Sequence, residues 1–129
     1  MINYVAVAAA TVINMVIGSL WYSPFLFGKI WAAGIKFKGE PKMTSFHLVQ
    51  AAGAAFALAL GIACILNTMN IVEPAEAIKS FAFLWLIFVA TTHYNSVIWA
   101  QKPISVYLID VTYFLATISA ATALLAWWR

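Results

Sequence analysis

The chain has 129 residues, of which 65% are hydrophobic and 9% are charged, whereas about a quarter of the residues in a soluble domain are charged. This composition excludes a soluble globule and predicts an integral membrane protein. The net charge of +3 comes mainly from lysines before residue 43, a distribution that suits an anionic lipid surface better than nucleic acid.

Four apolar runs predict four membrane-spanning helices in a single all-α domain that covers residues 1–129. The predicted spans, in chain order, are about 2–22, 44–66, 75–99 and 103–128. A short helix is predicted after the first span, at about 24–34, because Ser23 is a suitable N-cap and Pro24 a suitable first-turn residue. Its apolar residues at helical spacing and its lysines predict that it lies in the lipid headgroup layer.

Small and polar residues in the first two spans predict how the helices associate. Gly53, Ala57 and Gly61 recur at four-residue intervals in the second span. Such spacing lets helix backbones approach closely in a membrane, so the second span is predicted to be central. Asn14 lies inside the first span, and an amide there is expected to hydrogen-bond another helix.

The connections carry the charges that orient a membrane protein. Five lysines lie in the first and third connections, whereas the opposite side has Lys79 and Arg129. Because positive residues favour the cytoplasmic side, the loop at 24–43 is predicted to be cytoplasmic and both termini to be outside.

Asp110 is an acid inside the fourth span, where a carboxylate costs at least about 3 kcal/mol and needs a partner within the bundle. The third and fourth spans are predicted to form a tight antiparallel hairpin, so residues equally far from the turn lie at similar depth. His93 and Asp110 are such a pair. We therefore expect a contact between them, either direct or through one water or tyrosine.

Further polar residues are expected at this depth, so that the helices share one polar layer near their cytoplasmic ends. The predicted layer comprises His47, Gln50, His93, Asn95, Asp110 and Tyr113. Hydrogen bonds that fix the helix register are the favoured interpretation. A relay for protons or ions, and ligation of metal, haem or chlorophyll by His47 or His93, remain open alternatives.

Motifs of catalysis are missing from the sequence. It has no glycine-rich phosphate loop, no paired carboxylates, no spaced serine, histidine and aspartate triad and no HExxH. We therefore expect a protein without enzymatic activity, catalytic residues or a bound metal, and with lipid as its expected non-protein ligand.

Two blocks of residues carry a resemblance to a known family. The first block is Asn3, Trp21, Tyr22, Ser23, Pro24, Phe27, Gly28, Lys29 and Trp31, and the second includes Thr91, Thr92, Asn95, Pro103, Ile109 and Tyr113. Across essentially its whole length, the chain resembles the bacterial membrane family called domain of unknown function 1761. The resemblance implies a small four-span protein of the bacterial cytoplasmic (inner) membrane, with no assigned activity. It also implies that asparagine usually stands where this chain has Asp110.

Two functional hypotheses follow from the sequence. The leading one is a small noncatalytic membrane subunit that associates with itself or with a larger membrane complex in the lipid bilayer. The alternative is a small oligomer that moves protons, ions or a solute through a layer containing His93, Asn95 and Asp110. Neither hypothesis involves nucleic acid.

Overall fold

The computed structural model describes residues 1–37 and 43–129, and this part of the chain forms five helices. In chain order they are α1 Tyr4–Trp21, α2 Gly28–Gly34, α3 Ser45–Thr68, α4 Pro74–Ile98 and α5 Ile104–Trp127. All except α2 are long and apolar enough to cross a membrane, and the described residues contain no strand. These findings confirm the predicted all-α membrane fold. Each end of the four long helices lies within two residues of the predicted end.

Polar caps and prolines begin the long helices at the observed residues. The Asn3 side chain accepts hydrogen bonds from the backbone N–H groups of Val5 and Ala6, both at 3.1 Å. Thr44 and His47 form a reciprocal capping box at the start of α3. Proline occupies the first position of α4 and the residue before α5. Each device satisfies or removes backbone N–H groups that have no partner within the helix.

α5 is the central helix of the bundle. It packs against α1, α2, α3 and α4, whereas α3 packs mainly against α1 and α5. The prediction that the second span is central is therefore wrong. The reason is that Gly53, Ala57 and Gly61 are all exposed on α3, so these three residues do not bring it into the bundle.

The hydrophobic core lies toward the end of the bundle that holds both termini. It contains buried residues from all four long helices: Ala6, Val7, Ala10, Ala59, Ile62, Leu66, Ala77, Phe81, Ala121, Leu125 and Ala126. At the same end, the Met1 amine donates to the Asn67 side chain at 3.3 Å, and the Arg129 guanidinium donates to the carbonyl oxygens of Leu66 and Ile71. Both termini are thus held beside the connection between α3 and α4.

The connection between α1 and α2 is a compact turn and not the predicted start of a helix at residue 24. The backbone N–H groups of Leu26 and Gly28 both donate to the Ser23 carbonyl, at 3.1 and 2.9 Å. The Ser23 hydroxyl donates backward to the Leu20 carbonyl at 2.7 Å. The prediction that Ser23 caps α2 is therefore wrong, because its hydroxyl bonds α1. The headgroup position of α2 stays a prediction, and residues 38–42 of the predicted cytoplasmic loop lie outside the described residues.

α4 departs from a regular α-helix in its second half. Residues Trp85–Ala90 form a π-helical segment, followed by short helical pieces at Thr91–His93 and Asn95–Ile98. A π-helical turn holds more residues than an α-helical one, so it changes the direction in which later side chains point. This segment immediately precedes His93, which faces α5.

Candidate functional site

A cluster of polar side chains surrounds Asp110 near the start of α5. Asp110 Oδ1 accepts hydrogen bonds from the Tyr22 hydroxyl at 2.5 Å and from the Trp31 indole at 3.1 Å. His93 Nε2 lies 3.6 Å from Asp110 Oδ2. The structure thus brings His93 and Asp110 together as expected from the hairpin, at a separation slightly longer than a hydrogen bond. We call these four residues the Asp110 cluster.

Two further indoles hold the backbone of α5 on either side of Asp110. The Trp21 indole donates to the Ile109 carbonyl at 3.0 Å, and the Trp85 indole donates to the Val111 carbonyl at 2.8 Å. A carbonyl oxygen has two lone pairs, so a carbonyl inside a helix can accept this second bond. α1 and α4 are therefore both attached to α5 at the level of the acid.

Close packing of glycines lets the Trp21–Trp31 segment reach Asp110. A Cβ atom on Gly28 would lie 2.2 Å from the Tyr22 carbonyl oxygen, so the turn after α1 admits only glycine there. A Cβ atom on Gly34 would lie 2.3 Å from Val106 Cγ2. α2 consequently packs directly on α5.

Aromatic rings fix the orientation of the cluster. The Tyr22 ring makes edge contacts with Trp31 and Tyr113, at centroid separations of 5.4 and 5.2 Å. The His93 ring stacks on Tyr107 at 6.3 Å. Tyr107 is itself held to α4 by a hydrogen bond of 2.6 Å from its hydroxyl to the Ala90 carbonyl.

The electrostatics of the cluster favour Tyr22 as a permanent hydrogen-bond donor. Tyr22 follows the last residue of α1, and burial is the largest cause that raises the pKa of its hydroxyl above the usual range. The hydrogen bond to Asp110 and the negative charge of that acid raise the pKa further. The hydroxyl therefore stays protonated at ordinary pH and donates to the Asp110 carboxylate.

Three residues of the predicted polar layer, Asn95, Gln50 and His47, lie apart from the Asp110 cluster. The Asn95 amide donates to the Thr92 carbonyl of its own helix at 2.9 Å. Gln50 is exposed on α3, and His47 caps that helix. Tyr113 touches the cluster through Tyr22. The predicted layer is therefore brought together only around Asp110.

Two residues that carry the family resemblance follow the π-helical segment of α4, where they are exposed and make hydrogen bonds only within their own helix. The hydroxyls of Thr91 and Thr92 donate to the carbonyls of Ile87 and Phe88, one turn earlier in the same helix. The exposed Lys29 makes no hydrogen bond or ion pair within the described residues. None of these three residues contributes to the Asp110 cluster.

Sequence reasoning treated the aromatic residues between Trp21 and Trp31 as a membrane boundary and an anchor. It missed that Trp21, Tyr22 and Trp31 all donate hydrogen bonds to residues 109 and 110. One signal was available, because a buried indole or phenol generally requires an acceptor and Asp110 is an intramembrane acceptor.

A cavity of about 720 Å³ lies beside the cluster, between α1, α3 and α5. Its walls are mostly apolar, and its polar lining includes Asn14, Tyr22, His47 and Tyr113. Tyr22 separates the cavity from Asp110, because it lines the cavity while its hydroxyl donates to the acid. The cavity was not expected from the sequence, since it depends on how far apart α1 and α3 stand.

Metal ligation finds no support in the arrangement of side chains. Within residues 1–37 and 43–129, no three histidine, cysteine, aspartate or glutamate side chains come together as a group able to hold a metal ion. The expectation that no metal or haem is bound stays a prediction.

Four apolar spans and a partly buried acid held by aromatic donors define a small helical multi-pass membrane protein. Its family follows from a match of residues 5–126 to the family described as "Protein of unknown function (DUF1761)". The chain belongs to that family. Comparisons with curated proteins and with solved structures give no match.

Proposed function

We propose that the protein is a small noncatalytic membrane subunit, which associates with copies of itself or with a larger membrane complex through α3. Its location in this proposal is the bacterial cytoplasmic membrane. The single observation that carries the proposal is the outward placement of the small residues of α3.

The outward face of α3 has close-packing residues but no neighbour among the described residues. Gly53, Ala57 and Gly61 are exposed. A Cβ atom built on either glycine would meet no other atom within 4 Å in the described part of the chain. In the most apolar 18-residue stretch of each helix, 11% of the residues are buried in α3, against 33% in α5.

Glycines inside a membrane helix are costly unless they allow close approach. A glycine in a helix interior is about 1 kcal/mol less favourable than alanine. In a membrane the hydrophobic effect does not drive helices together, because lipid tails are as apolar as the side chains. The gain that offsets the cost of a glycine comes instead from close packing of its backbone against another helix. Gly34 makes such a contact with α5, whereas Gly53 and Gly61 make none within the described residues. A second chain against α3 would use them.

The experiment compares the assembly state of the natural chain with that of variants on this face. Native mass spectrometry after extraction in mild detergent is expected to show a dimer, a higher oligomer or a complex with another subunit. Gly53→Leu and Gly61→Leu are expected to reduce the assembled fraction, because leucine keeps the helices apart. Ala8→Leu, at an exposed small residue of α1, is the matched control. A monomer at native expression level, unaffected by any variant, would contradict the proposal.

A second candidate function is supported by the position of Tyr22 between the cavity and Asp110. Asp110 and His93 lie close together, and Tyr22, whose hydroxyl donates to Asp110, lines the cavity. In this alternative the protein translocates protons or a solute. Proton flux into liposomes, measured with an internal pH dye, is then expected to fall in Asp110→Asn and to be unchanged in Gln50→Ala. Flux equal to that of protein-free liposomes would exclude this candidate.

The orientation is proposed from the charges at the two ends of the bundle. Lys29 and Lys36 follow α1, and Lys102 precedes α5, so the three lie at the end that holds the Asp110 cluster. Arg129 lies at the opposite end, beside the connection between α3 and α4. The proposal therefore places the Asp110 cluster near the cytoplasmic surface and both termini outside.

A further inference from the structure

We propose that the cavity between α1, α3 and α5 binds a long apolar chain that bears a carbonyl group. In this proposal the carbonyl oxygen accepts a hydrogen bond from the side-chain amide of Asn14. The inference rests on the cavity and not on association through α3, so the two are tested separately.

Asn14 is the main observation behind the inference. It is only 2% exposed, and neither its amide nitrogen nor its amide oxygen has a hydrogen-bond partner within the described residues. The sequence predicted that this amide bonds another helix, and no such bond is found. A buried amide without a partner is costly, and native proteins rarely keep one. Asn14 is among the residues that line the cavity, so a ligand there lies beside this amide.

The size of the cavity suits a ligand better than a few water molecules. Its volume of about 720 Å³ falls within the range of roughly 300–1,000 Å³ that is usual for small-molecule sites. The side chains of Met15, Leu58, Phe114 and Ile118 contribute to its walls. Water placed against such walls would form few hydrogen bonds, whereas an apolar chain would contact them throughout.

The described lining residues also indicate that the part of the ligand inside the cavity is uncharged. They include no aspartate, glutamate, lysine or arginine, and His47 is their only imidazole. The Tyr22 hydroxyl is already committed to Asp110. The Thr117 hydroxyl donates to carbonyls of its own helix at 3.1 and 3.2 Å. Asn14 is therefore the lining residue whose buried polar atoms have no partner within the described residues.

Two kinds of membrane molecule combine an apolar chain with a carbonyl group. One is the ester-bearing acyl chain of a bilayer phospholipid, and the other is a free long-chain compound with a ketone or similar carbonyl. Both present an apolar chain and a hydrogen-bond acceptor, so both fit the same site. The experiment below distinguishes them.

The test uses 4-dodecylbenzophenone as the probe, with the full chain in phosphatidylcholine nanodiscs. On irradiation the excited carbonyl takes a hydrogen atom from a nearby C–H bond, and the two carbon radicals then join, so the label marks where the carbonyl lies. Labelling is expected at cavity residues such as Met15, and 2-tridecanone is expected to compete better than tridecane. Asn14→Leu replaces the amide with an apolar side chain of similar size. It is expected to lower this labelling about fivefold, because the loss of one hydrogen bond changes the affinity by about that factor. Ala8→Leu, on the exposed side of α1, is the matched control.

A second pair of variants keeps the test decisive if Asn14→Leu does not fold. Ala55→Phe places a ring in the cavity from α3 and leaves Asn14 in place, and it is expected to abolish labelling at Met15. Val49→Phe adds a ring at an exposed position of α3 that does not line the cavity, and it is expected to label as the natural chain does. Equal labelling of Met15 and of the lipid-facing Val12, unchanged by Ala55→Phe, would overturn the inference.

The source of the natural ligand is read from the intact mass of protein released from native membranes. A retained phospholipid that is lost in Asn14→Leu or Ala55→Phe assigns the site to a bilayer lipid. A retained smaller molecule lost in the same variants assigns it to a free carbonyl compound. Retention that neither variant changes would overturn the inference.

Discussion

At the scale of single residues, the environment of Asp110 explains how a carboxylate is accommodated in an apolar bundle. Oδ1 accepts two hydrogen bonds, from Tyr22 and Trp31, and His93 lies near Oδ2. The aromatic segment after α1 therefore serves the acid of α5.

Tyr22→Phe is expected to destabilise the protein because it removes one of these two donors. A typical hydrogen bond contributes about 0.5–1.5 kcal/mol, and the expected loss is of that order. The measurement is the free energy of unfolding in detergent, followed by tryptophan fluorescence. Tyr4→Phe is the control, since Tyr4 is 64% exposed. Equal stabilities of the two variants would show that the bond to Asp110 contributes nothing.

Asp110→Asn and Asp110→Leu are expected to differ strongly. The amide oxygen of asparagine still accepts from Tyr22 and Trp31, so the loss of stability should stay below about 1 kcal/mol. Leucine leaves the phenol and the indole without an acceptor, and each unpaired buried group costs about 1–3 kcal/mol. The measurement is again detergent unfolding. A leucine variant as stable as the asparagine variant would mean that the donors find other partners.

The sequence predicted the acid and its histidine but not the other members of the cluster. His93 and Asp110 lie equally far from one tight turn, so their proximity follows from helix geometry alone. Trp31 reaches Asp110 only because the chain reverses after α1 and α2 packs onto α5 through Gly34. Such a contact between distant elements depends on tertiary packing, which local patterns do not encode.

At the scale of elements, the turn between α1 and α2 determines whether the aromatic segment meets α5. Three backbone N–H groups, of Leu26, Phe27 and Gly28, donate back to the carbonyls of Trp21 and Ser23. This closed turn is the reason that a serine and a proline do not begin a helix here. Hydrophobic runs predict where spans lie, but these turn bonds compete with helix initiation.

Gly28→Ala and Gly53→Ala are expected to have opposite effects on stability. At residue 28, the new Cβ would lie 2.2 Å from the Tyr22 carbonyl oxygen, so the turn must open and the Asp110 cluster must separate. At residue 53, the new Cβ meets no other described atom within 4 Å, and alanine is favoured in a helix by about 1 kcal/mol. Thermal unfolding of the two variants as monomers in detergent measures the difference. A Gly28→Ala variant as stable as the natural chain would contradict the observed turn.

The π-helical segment of α4 is a feature that hydropathy cannot predict. Residues Trp85–Ala90 are as apolar as the helix before them, so the change in backbone hydrogen bonding leaves no mark on the apolar pattern. Its consequence is visible in the contacts of Trp85 and His93 with α5. The third span was thus predicted in extent but not in the direction of its side chains.

At the scale of the whole molecule, both termini and the connection between α3 and α4 lie at one end, and the Asp110 cluster lies toward the other. This follows from four spans with short connections, and the bonds of Met1 and Arg129 are consistent with it. Which helix is central did not follow from the sequence. A stripe of small residues indicates close packing, but it does not say whether the neighbour belongs to the same chain.

The proposed orientation predicts which cysteines are reached from outside the cell. In a Cys64→Ser background, Met69→Cys is expected to react with a membrane-impermeant maleimide in intact cells. Lys102→Cys is expected to react only after the cells are made permeable. Both positions are exposed and lie at opposite ends of the bundle. The reverse pattern of labelling would place the termini in the cytoplasm.

The most direct measurement of association through α3 is oxidative cross-linking of the natural chain in its own membrane. Cys64 is exposed and is the single cysteine, and it lies roughly 20° around the helix from Gly53, at about 100° per residue. When two copies meet symmetrically through this face, their Cys64 residues come close enough for a disulfide. The account predicts an oxidant-dependent dimer that Gly61→Leu suppresses and Ala8→Leu does not. The absence of any Cys64-linked product, together with purification of the chain as a lone monomer, would contradict it.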